Sequence, residues 1–431
     1  MREMKDSGIA WIGVIPQDWE IVRTKSLYCS AKEIAGDRVD DFERLALTLN
    51  GVIKRSKEDS VGLQPEKFSG YQILKKGELV FKLIDLENVA TSRVGLSPYT
   101  GIVSPAYIVL SKQSRVKDLV VRYSMYHFLS MWQREIFNQM GDNGVRSSLN
   151  AKELLNIPHP FPSIYEQKRI VTFLDAQCAE IDAVLEKTRV SIEEYKKLKQ
   201  AVITQAVTKG IRGDRPMKDS GFEWIGEIPA GVPISRVGLH FDIVLGKMLC
   251  SAPVDDNYTL ESYYCAADVH FEGLSNGEKK KMWFSPDEKE QYCVKNGDLL
   301  VVEGGAGAGG CAIAVSTDVP IYIQNSIMIV RSKGISNIRY LRYLLECLVK
   351  KGYIDVVCNK ATIPHFTKDK LANVPFIVFS QSEQEEIAEY LNEKCAGIDA
   401  LIVKKQQYLI EIENYKKSLI YEYVTGKKEV V

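Results

Sequence analysis

The sequence predicts a mixed α+β protein in which two similar globular heads are joined by two long helices. The helices are expected to form an antiparallel intramolecular coiled coil, which makes the chain a pseudo-two-fold tandem repeat. Two observations carry this prediction. Residues 4–16 (MKDSGIAWIGVIP) and 217–229 (MKDSGFEWIGEIP) are identical at ten of thirteen positions, and residues 166–208 match 383–425 without a gap, with 15 of 43 positions identical.

The repeat predicts four segments in chain order. Residues 1–163 form the first head and include the first copy of the short motif, and residues 164–210 form the first helix. Residues 211–380 form the second head with the second motif, and residues 381–431 form the second helix. The glycines of the two motifs predict a turn around Trp11 and Trp224 that packs on the base of each head, with a direct partner contact as the alternative. The aromatic Trp19 that closes the first motif has Val232 in its place in the second, which weakens only the local packing argument.

The middle of each head is predicted to be rich in strands. Apolar and β-branched runs bounded by glycine, proline and serine predict strands at 78–83, 106–110, 299–303 and 321–330. Helical patterns follow at 119–139 and 338–355, and the proline-rich residues 158–162 are expected to link the first head to its helix. Lys76–Val80 aligns with Asn296–Leu300 at an offset of 220, so the middle parts of the two heads should share one fold and differ in surface.

The closing segments have the apolar spacing of a coiled-coil seam. Residues 166–208 contain no glycine or proline, and about 1.5 Å per residue gives a rod of roughly 65 Å. Such a rod would leave its seam exposed, so we expect the two helices to pair, with separate burial in two globules as the alternative. The predicted seam residues are Ile170, Leu174, Ile181, Leu198 and Val202 in the first helix and Ile387, Leu391, Ile398, Leu401, Ile412 and Leu419 in the second.

Composition excludes several classes of function. Fifty-six basic residues balance 56 acidic ones, so net charge gives no indication of partners. There is no signal peptide and no apolar run long enough to span a membrane, which predicts a cytoplasmic protein. The nine cysteines and five histidines are too scattered for a metal site, and no catalytic motif is found. The glycine-rich residues 303–310 lack the Gly-Lys-Ser/Thr ending of a phosphate loop, and a tight turn between strands is the preferred interpretation.

The doubled motifs resemble the specificity subunit of type I restriction-modification systems. The resemblance rests on Lys5–Gly8 with Trp11–Gly13 and Ile15–Pro16, on Glu166–Gln167 leading to Ile181–Ala183, and on the tail Ala206–Gly210, all with their second copies. It covers essentially the whole chain. It implies that each head is a target recognition domain for one half of a bipartite double-stranded DNA site and that the paired helices act as a spacer.

The same resemblance implies the partners. The family has no active site of its own, so the chain is expected not to be an enzyme and to hold no cofactor. It would dock two methyltransferase (modification) subunits, which carry S-adenosylmethionine, and recruit ATP-dependent restriction and translocase subunits, with no membrane partner. Lys187, Lys199, Lys404 and Lys416 are possible polar contacts to the methyltransferase, although solvation explains them equally well.

Polar loop residues are the candidates for DNA contact, because base edges are read by such side chains. For each one, a solvated surface role is the alternative. The candidates in the first head are Asn50, Lys54, Arg55, Lys82, Asn88, Arg93, Arg146 and Ser147, and those in the second are Lys247, Lys279, Lys280, Lys281, Glu303, Gly305, Gly307, Lys360 and Thr362.

Two rival interpretations remain open. One is a fused enzyme that also methylates or cuts DNA, against which the lack of any methyltransferase, nuclease or helicase motif argues. The other is a two-headed coiled-coil interaction scaffold that does not bind DNA. If DNA is the target, one turn inserted after Ile203 should lengthen the gap between half-sites and leave both half-sites unchanged.

Overall fold

The structure, a computed structural model, describes residues 2–59, 68–86, 93–140, 148–358 and 364–430. The chain divides into two compact units, which are Met1–Arg189 with Gln407–Val431 and Val190–Gln406. Each unit holds one head and one half of each of two long helices. Within the described residues, none of the helices combines the length and apolar character needed to cross a bilayer.

The elements of the first head and the first long helix are short strands followed by helices. The strands are β1 Met4–Asp6, β2 Val14–Pro16, β3 Glu20–Arg23, β4 Tyr28–Cys29, β5 Arg44–Thr48, β6 Gly51–Arg55, β7 Gln72–Leu74, β8 Leu79–Lys82, β9 Arg93–Leu96, β10 Gly101–Val103, β11 Ile108–Lys112 and β12 Pro158–Phe161. The helices are α1 Thr24–Leu27, α2 Val121–Gln133, α3 Ala151–Asn156 and the long α4 Ile164–Lys209, with 3-10 turns at Gly36–Asp41 and Ile136–Gln139.

The second head and the second long helix repeat this order. The strands are β13 Met217–Asp219, β14 Glu227–Pro229, β15 Ile234–Arg236, β16 Phe241–Leu245, β17 Thr259–Tyr264, β18 Val269–His270, β19 Gly273–Leu274, β20 Lys280–Phe284, β21 Leu299–Val302, β22 Cys311–Ile313, β23 Tyr322–Ile323, β24 Ile327–Ser332 and β25 Pro375–Ile377. The helices are α5 Val237–His240, α6 Pro286–Tyr292, α7 Ile338–Lys350, α8 Tyr353–Val357, α9 Lys368–Ala372 and the long α10 Gln381–Val424, with a 3-10 turn at Ala266–Asp268.

The two heads share their sheet topology. One sheet is fully antiparallel and has the order β4-β11-β8-β9 in the first head and β16-β24-β21-β22 in the second. The other has the order β6-β5-β10-β7 or β20-β17-β23, and in both heads one pair of strands in it is parallel, β5 with β10 and β17 with β23. The predicted strand at 321–330 is two strands, β23 and β24, separated by a polar turn. The predicted α+β class and tandem repeat are confirmed.

A buried tyrosine joins each head to the end of a long helix. Tyr123 in α2 and Tyr340 in α7 are fully buried at equivalent positions of the two copies. The Tyr123 hydroxyl donates to the Val424 carbonyl at 2.9 Å, and the Tyr340 hydroxyl donates to the Val207 carbonyl at 3.0 Å. These carbonyls belong to the last helical turns, where no following helical N–H can reach them. The side chain therefore satisfies a buried acceptor and fixes the helix end to the head.

The long helices pair antiparallel, and the same ion pair occurs in both units. Lys416 and Asp182 are 2.5 Å apart in the first unit, and Lys199 and Asp399 are 2.7 Å apart in the second. The two lysines are equivalent positions of the repeat, and so are the two aspartates, because each is related to the other by the offset that relates 166–208 to 383–425. The first unit also pairs Arg189 with Glu413. From the first ion pair to this one, the residue number rises along α4 and falls along α10, so the two helices run in opposite directions. The prediction of an antiparallel coiled coil is confirmed.

The seam differs from the prediction at two positions. Leu198 and Leu401 are 48% and 43% exposed, whereas Leu185 is buried and Ile402 is half-buried. Both helices keep a regular alternation of four and three residues, which runs through Ile181, Leu185 and Thr188 in the first helix and through Ile398 and Ile402 in the second. Leu198 and Leu401 lie outside this alternation. The remaining predicted seam residues are buried or half-buried: Ile170, Leu174, Ile181, Val202, Ile387, Leu391, Ile398, Ile412 and Leu419.

The predicted proline-rich linker is in fact a strand. Pro158–Phe161 pairs antiparallel with Glu20–Arg23, and Pro375–Ile377 pairs in the same way with Ile234–Arg236 in the second head. Proline is tolerated here because each ribbon has only two strands, so a missing N–H does not interrupt a larger ladder.

The tryptophan motifs pack on their own heads. The Trp11 carbonyl accepts a hydrogen bond from Arg134 at 3.0 Å, and the Trp224 carbonyl accepts one from Lys351 at 2.8 Å. Arg134 and Lys351 occupy equivalent positions of the two copies. The Trp224 ring also meets the Tyr353 ring edge-on at 5.1 Å. Packing on the base of the head is therefore a role that both motifs have.

Candidate functional site

Two loops meet at the same place in both heads. In the first head Ile84, just after β8, forms a β-bridge with Ser148, just before α3. In the second head Gly304, just after β21, forms a β-bridge with His365, just before α9. We call the residues 82–86 with 148–149 and 303–310 with 364–366 the paired-loop clusters. In each cluster, the bridge joins segments that are distant from each other in the chain.

Some candidates lie outside the described residues. They are Asn88, Arg146, Ser147, Lys360 and Thr362.

The paired-loop cluster of the first head begins beside two cations. Lys82 and Arg93 lie directly opposite each other in the β8–β9 pair. Burial, followed by the charge of Arg93, lowers the pKa of the Lys82 ammonium. Like charges opposite one another in an antiparallel pair repel, so an anion or a base acceptor placed between them would be attracted to both.

The β5–β6 hairpin carries the other predicted cations of the first head. Asn50 is exposed in its turn. Lys54 pairs with Glu43 at 2.5 Å, and Arg55 pairs with Asp59 at 2.6 Å. Surface ion pairs of this kind contribute only about 0–1 kcal/mol, so DNA phosphates could compete for these cations at small cost.

The glycine-rich loop of the second head is a tight connection between β21 and β22. Gly309 has a φ of +82°, and a Cβ there would lie 2.8 Å from the Ile354 side chain, which only glycine avoids. Gly305 and Gly307 differ, because a Cβ on either would meet no atom closer than 3.9 Å. The turn interpretation is thus confirmed. The loop presents open backbone at Gly305 and Gly307, where another molecule can approach closely.

An acidic residue opens this glycine-rich loop. The Glu303 carbonyl accepts a hydrogen bond from the Phe366 N–H at 2.6 Å, and its carboxylate lies 3.6 Å from Nδ1 of His365. A carboxylate at this place can accept a hydrogen bond from a cytosine amino group.

The ammonium groups of Lys247 and Lys279 form ion pairs inside the second head and are not presented at its surface. Lys247 is buried, forms an ion pair with Glu288 and lies over the rings of Tyr258 and Phe284. Lys279 pairs with Asp268 at 3.0 Å, and its side chain is 10% exposed. Releasing either ammonium for a phosphate would leave a partly buried carboxylate without its partner. Both ammonium groups are thus engaged within the fold, and DNA contact by either residue, which stays a prediction, would carry this cost. Lys280 and Lys281 are exposed on β20.

The sequence pattern does not predict a polar turn that lies beside the glycine-rich loop. Gln324, Asn325 and Ser326 connect β23 to β24, and the Ser326 carbonyl accepts from the Glu303 N–H at 2.8 Å. The Gln324 side chain hydrogen-bonds with both Asn325 and Ser326. The available signal was a run of three polar residues inside a segment that was interpreted as one continuous strand.

The described residues contain no group of three or more metal-ligating side chains, and all nine cysteines are free thiols.

Comparisons with known proteins identify the family. Residues 272–413 match the family described as "Type I restriction modification DNA specificity domain". The type I restriction enzyme MjaVIII specificity subunit of Methanocaldococcus jannaschii is 25% identical over 434 residues, covering 96% of this chain and 94% of that protein. The chain therefore carries a match to the type I DNA specificity domain and is similar to curated type I specificity subunits over nearly its whole length.

Other relatives extend the likeness to the whole chain. The putative type I restriction enzyme MjaX specificity subunit of the same organism is 22% identical over 459 residues, covering 97% of this chain and 96% of that protein. The HsdS subunit from Thermoanaerobacter tengcongensis has the same fold, with a TM-score of 0.53, 16% identity and coverage of 96% and 98%.

A further chain, solved in work on complex assembly and conformational transition of the type I R-M system, has a TM-score of 0.72 at 16% identity, with coverage of 96% and 99%. Both solved structures thus share the fold of this chain over nearly its whole length.

Proposed function

We propose that each head of this specificity subunit recognises one half of an asymmetric bipartite DNA site and that α4 and α10 set the gap between the halves. The observation that carries the proposal is the paired-loop cluster, which occurs at the same place in both heads and has different side chains in each. In functional terms, residues 1–163 and 211–380 are the two target recognition domains, and residues 164–210 and 381–431 are the spacer.

Differences between the clusters predict unlike half-sites. The register of the two equivalent strand pairs places Val302 where Lys82 lies and Gly310 where Arg93 lies. The first head therefore offers two cations where the second offers one apolar side chain and a glycine. In the second head, the carboxylate of Glu303 and the open backbone of the glycine-rich loop supply the polar contacts. Since these groups prefer different base edges, one sequence would not satisfy both heads.

The helices are the proposed docking region for two methyltransferase subunits. Lys199 and Lys416 pair across the two helices with Asp399 and Asp182, so these lysines are engaged within the chain. Lys187 and Lys404 are exposed at the positions where the repeat places equivalent residues, and we propose them as the polar contacts. Two equivalent positions suit two copies of one partner.

The remaining partners follow from this assignment. S-adenosylmethionine would be held by the methyltransferase subunits and ATP by the restriction and translocase subunits, with no cofactor on this chain. Because the substrate is chromosomal DNA, we place the complex in the cytoplasm.

Methylome sequencing tests the proposal. The chain is expressed with its methyltransferase subunit in cells that lack other modification, and modified bases are mapped by single-molecule sequencing. We expect one motif made of two unlike half-sites with a fixed unspecified gap. A symmetric or ungapped motif would contradict the proposal. An assembled complex that binds S-adenosylmethionine yet modifies nothing would favour the alternative of an interaction scaffold.

A pair of variants assigns a half-site to the first head. Lys82→Ala should relax recognition in one half of the mapped motif and leave the other half unchanged, because Lys82 lies in only one paired-loop cluster. The matched control is Lys76→Ala, an exposed lysine in the turn before the opposite end of the same strand. A relaxed preference in both halves would refute the assignment.

A further inference from the structure

We propose that Met248 and Leu249 form an apolar wedge that enters the DNA duplex at the half-site of the second head and unstacks one base step. This inference rests on the proposed function. It adds a way of recognising DNA that the polar side chains of the paired-loop clusters do not supply.

The two residues are strongly exposed apolar side chains. Met248 is 75% exposed and Leu249 is 63% exposed, and they are adjacent in the chain. Single exposed apolar side chains are common on protein surfaces and need no explanation. Two long ones next to each other form a small apolar projection, which is the kind of feature that marks a binding surface.

The backbone on both sides of this projection is fixed. Before it, the Lys247 N–H donates to the Ile323 carbonyl at 3.2 Å, and the Lys247 carbonyl accepts from Asn325 at 2.8 Å. After it, the Cys250 carbonyl accepts from the Trp283 N–H at 3.0 Å. Met248 and Leu249 are thus held between two anchored residues, so little conformational entropy remains to be lost on contact.

The buried lysine adds a third anchor. The Lys247 ammonium is paired with Glu288, which also accepts the backbone N–H of Ser285 at 2.8 Å at the start of α6. Lys247 is therefore a positioning residue for the wedge.

The wedge lies at the same end of the sheet as the other candidate DNA contacts. Gly246, which precedes it, donates to the Ile327 carbonyl at the start of β24, and Glu303 donates to the neighbouring Ser326 carbonyl. The polar turn 324–326 and the glycine-rich loop 303–310 therefore adjoin the wedge. One end of the β16-β24-β21 sheet offers apolar, polar and small residues together.

The chemistry of these groups fits a deformed base step. An apolar side chain gains nothing from phosphates, which remain hydrated, but it gains contact with base faces exposed by unstacking. Methionine and leucine are among the residues that proteins insert in this way, and flexible pyrimidine–purine steps open at least cost. The wedge would thereby favour such a step in the second half-site without a hydrogen bond to it.

Fluorescent base analogues test the wedge in the assembled complex. The duplex carries the motif mapped by methylome sequencing, with 2-aminopurine placed in turn at each step of the half-site assigned to the second head. Binding by the complex of wild-type chain and methyltransferase subunits should raise the fluorescence at one step, because an unstacked 2-aminopurine is no longer quenched. The double variant Met248→Ser with Leu249→Ser should lose this rise. It should also bind the cognate duplex about tenfold more weakly, a loss in the range that one mismatched base pair in a site typically causes.

The control is a second double variant of matched exposure. Val315→Ser with Val319→Ser changes two exposed residues near the opposite end of the same strands, where Leu299 opposes Ile313. It should leave both the fluorescence rise and the affinity as in wild type. The thermal midpoint and co-elution with the methyltransferase subunit are measured for both variants, and both should match wild type.

Three results would overturn the wedge. The first is wild-type binding with no fluorescence rise at any step, which leaves the bipartite function intact. The second is an unchanged rise and affinity in the Met248 and Leu249 variant. The third is loss of methyltransferase co-elution in that variant alone, which would make the projection a protein contact. A failure of the proposed function is distinguishable, because it would appear earlier as the absence of a bipartite motif.

Discussion

Lengthening both long helices by one turn is expected to widen the gap in the DNA site by one or two base pairs. Sequence reasoning alone puts the insertion after Ile203, but this residue is fully buried in the core of the second head. An insertion there would disrupt the head. The structure favours four residues after Glu194 in α4 and four after Lys404 in α10, which are both exposed. Since Lys199 lies opposite Asp399 in the antiparallel pair, Glu194 lies opposite Lys404.

The size of the effect follows from helix geometry. Four residues at about 1.5 Å each lengthen a helix by about 6 Å. The DNA helix rises about 3.4 Å per base pair, so this added length corresponds to one or two base pairs. Neither paired-loop cluster is touched, so the bases of both half-sites should stay the same.

Methylome sequencing of cells that express the lengthened chain measures the length of the gap and the bases of both half-sites at once. The control is the same insertion in α4 alone, which changes the distance between Asp182 and Lys199 so that they can no longer meet Lys416 and Asp399 at the same time. We expect this control to lose modification. A lengthened chain that methylates different bases at an unchanged gap would refute the assignment of the spacer to these helices.

Three further predictions concern stability. Tyr340→Phe removes the hydroxyl that donates to the Val207 carbonyl. It should lower the free energy of unfolding by about 1–3 kcal/mol in a denaturant titration. An unchanged midpoint of that titration would contradict the role of this hydrogen bond. Gly309→Ala should destabilise the second head because of its positive φ and close neighbours, whereas Gly307→Ala should leave the melting temperature unchanged, and equal effects would contradict the loop geometry. Burial lowers the pKa of His159 to about 4 from an ordinary value of 6.5, so the unfolded chain binds more protons, and stability should fall as pH drops from about 6.5 towards 4. His159→Phe, which copies the residue of the second head, should flatten this acid loss in a series of melts, and an unchanged pH profile would show that His159 is not its cause.

The repeat made the global fold predictable from the sequence. One constant offset links Asp182 to Asp399 and Lys199 to Lys416, so one pairing scheme had to hold twice. Helical periodicity then predicted two long helices, because it depends on neighbours three and four positions away, and the first of them contains neither glycine nor proline. The seam was less predictable. The regular spacing of four and three residues that continues through Leu185 and Ile192 leaves Leu198 on the exposed side.

The candidate site was predictable only as a set of loops. Sequence pattern identified the region around Lys82 and the glycine-rich loop, but it could not show that Ile84 bridges Ser148, since that contact joins segments far apart in the chain. The sequence pattern also predicted a contact between Lys247 and DNA. Glu288, which lies far along the chain from Lys247, pairs with that ammonium and buries it.

The sequence by itself therefore determined the tandem repeat, the two long helices and the resemblance to type I specificity subunits. These rest on local periodicity and on self-similarity, which the linear order of residues contains in full. Only the tertiary structure decided which cations are engaged within the fold and which exposed residues adjoin the glycine-rich loop. Those properties depend on desolvation and on partners distant in the chain, and a charge acquires its role only when the fold fixes what lies next to it.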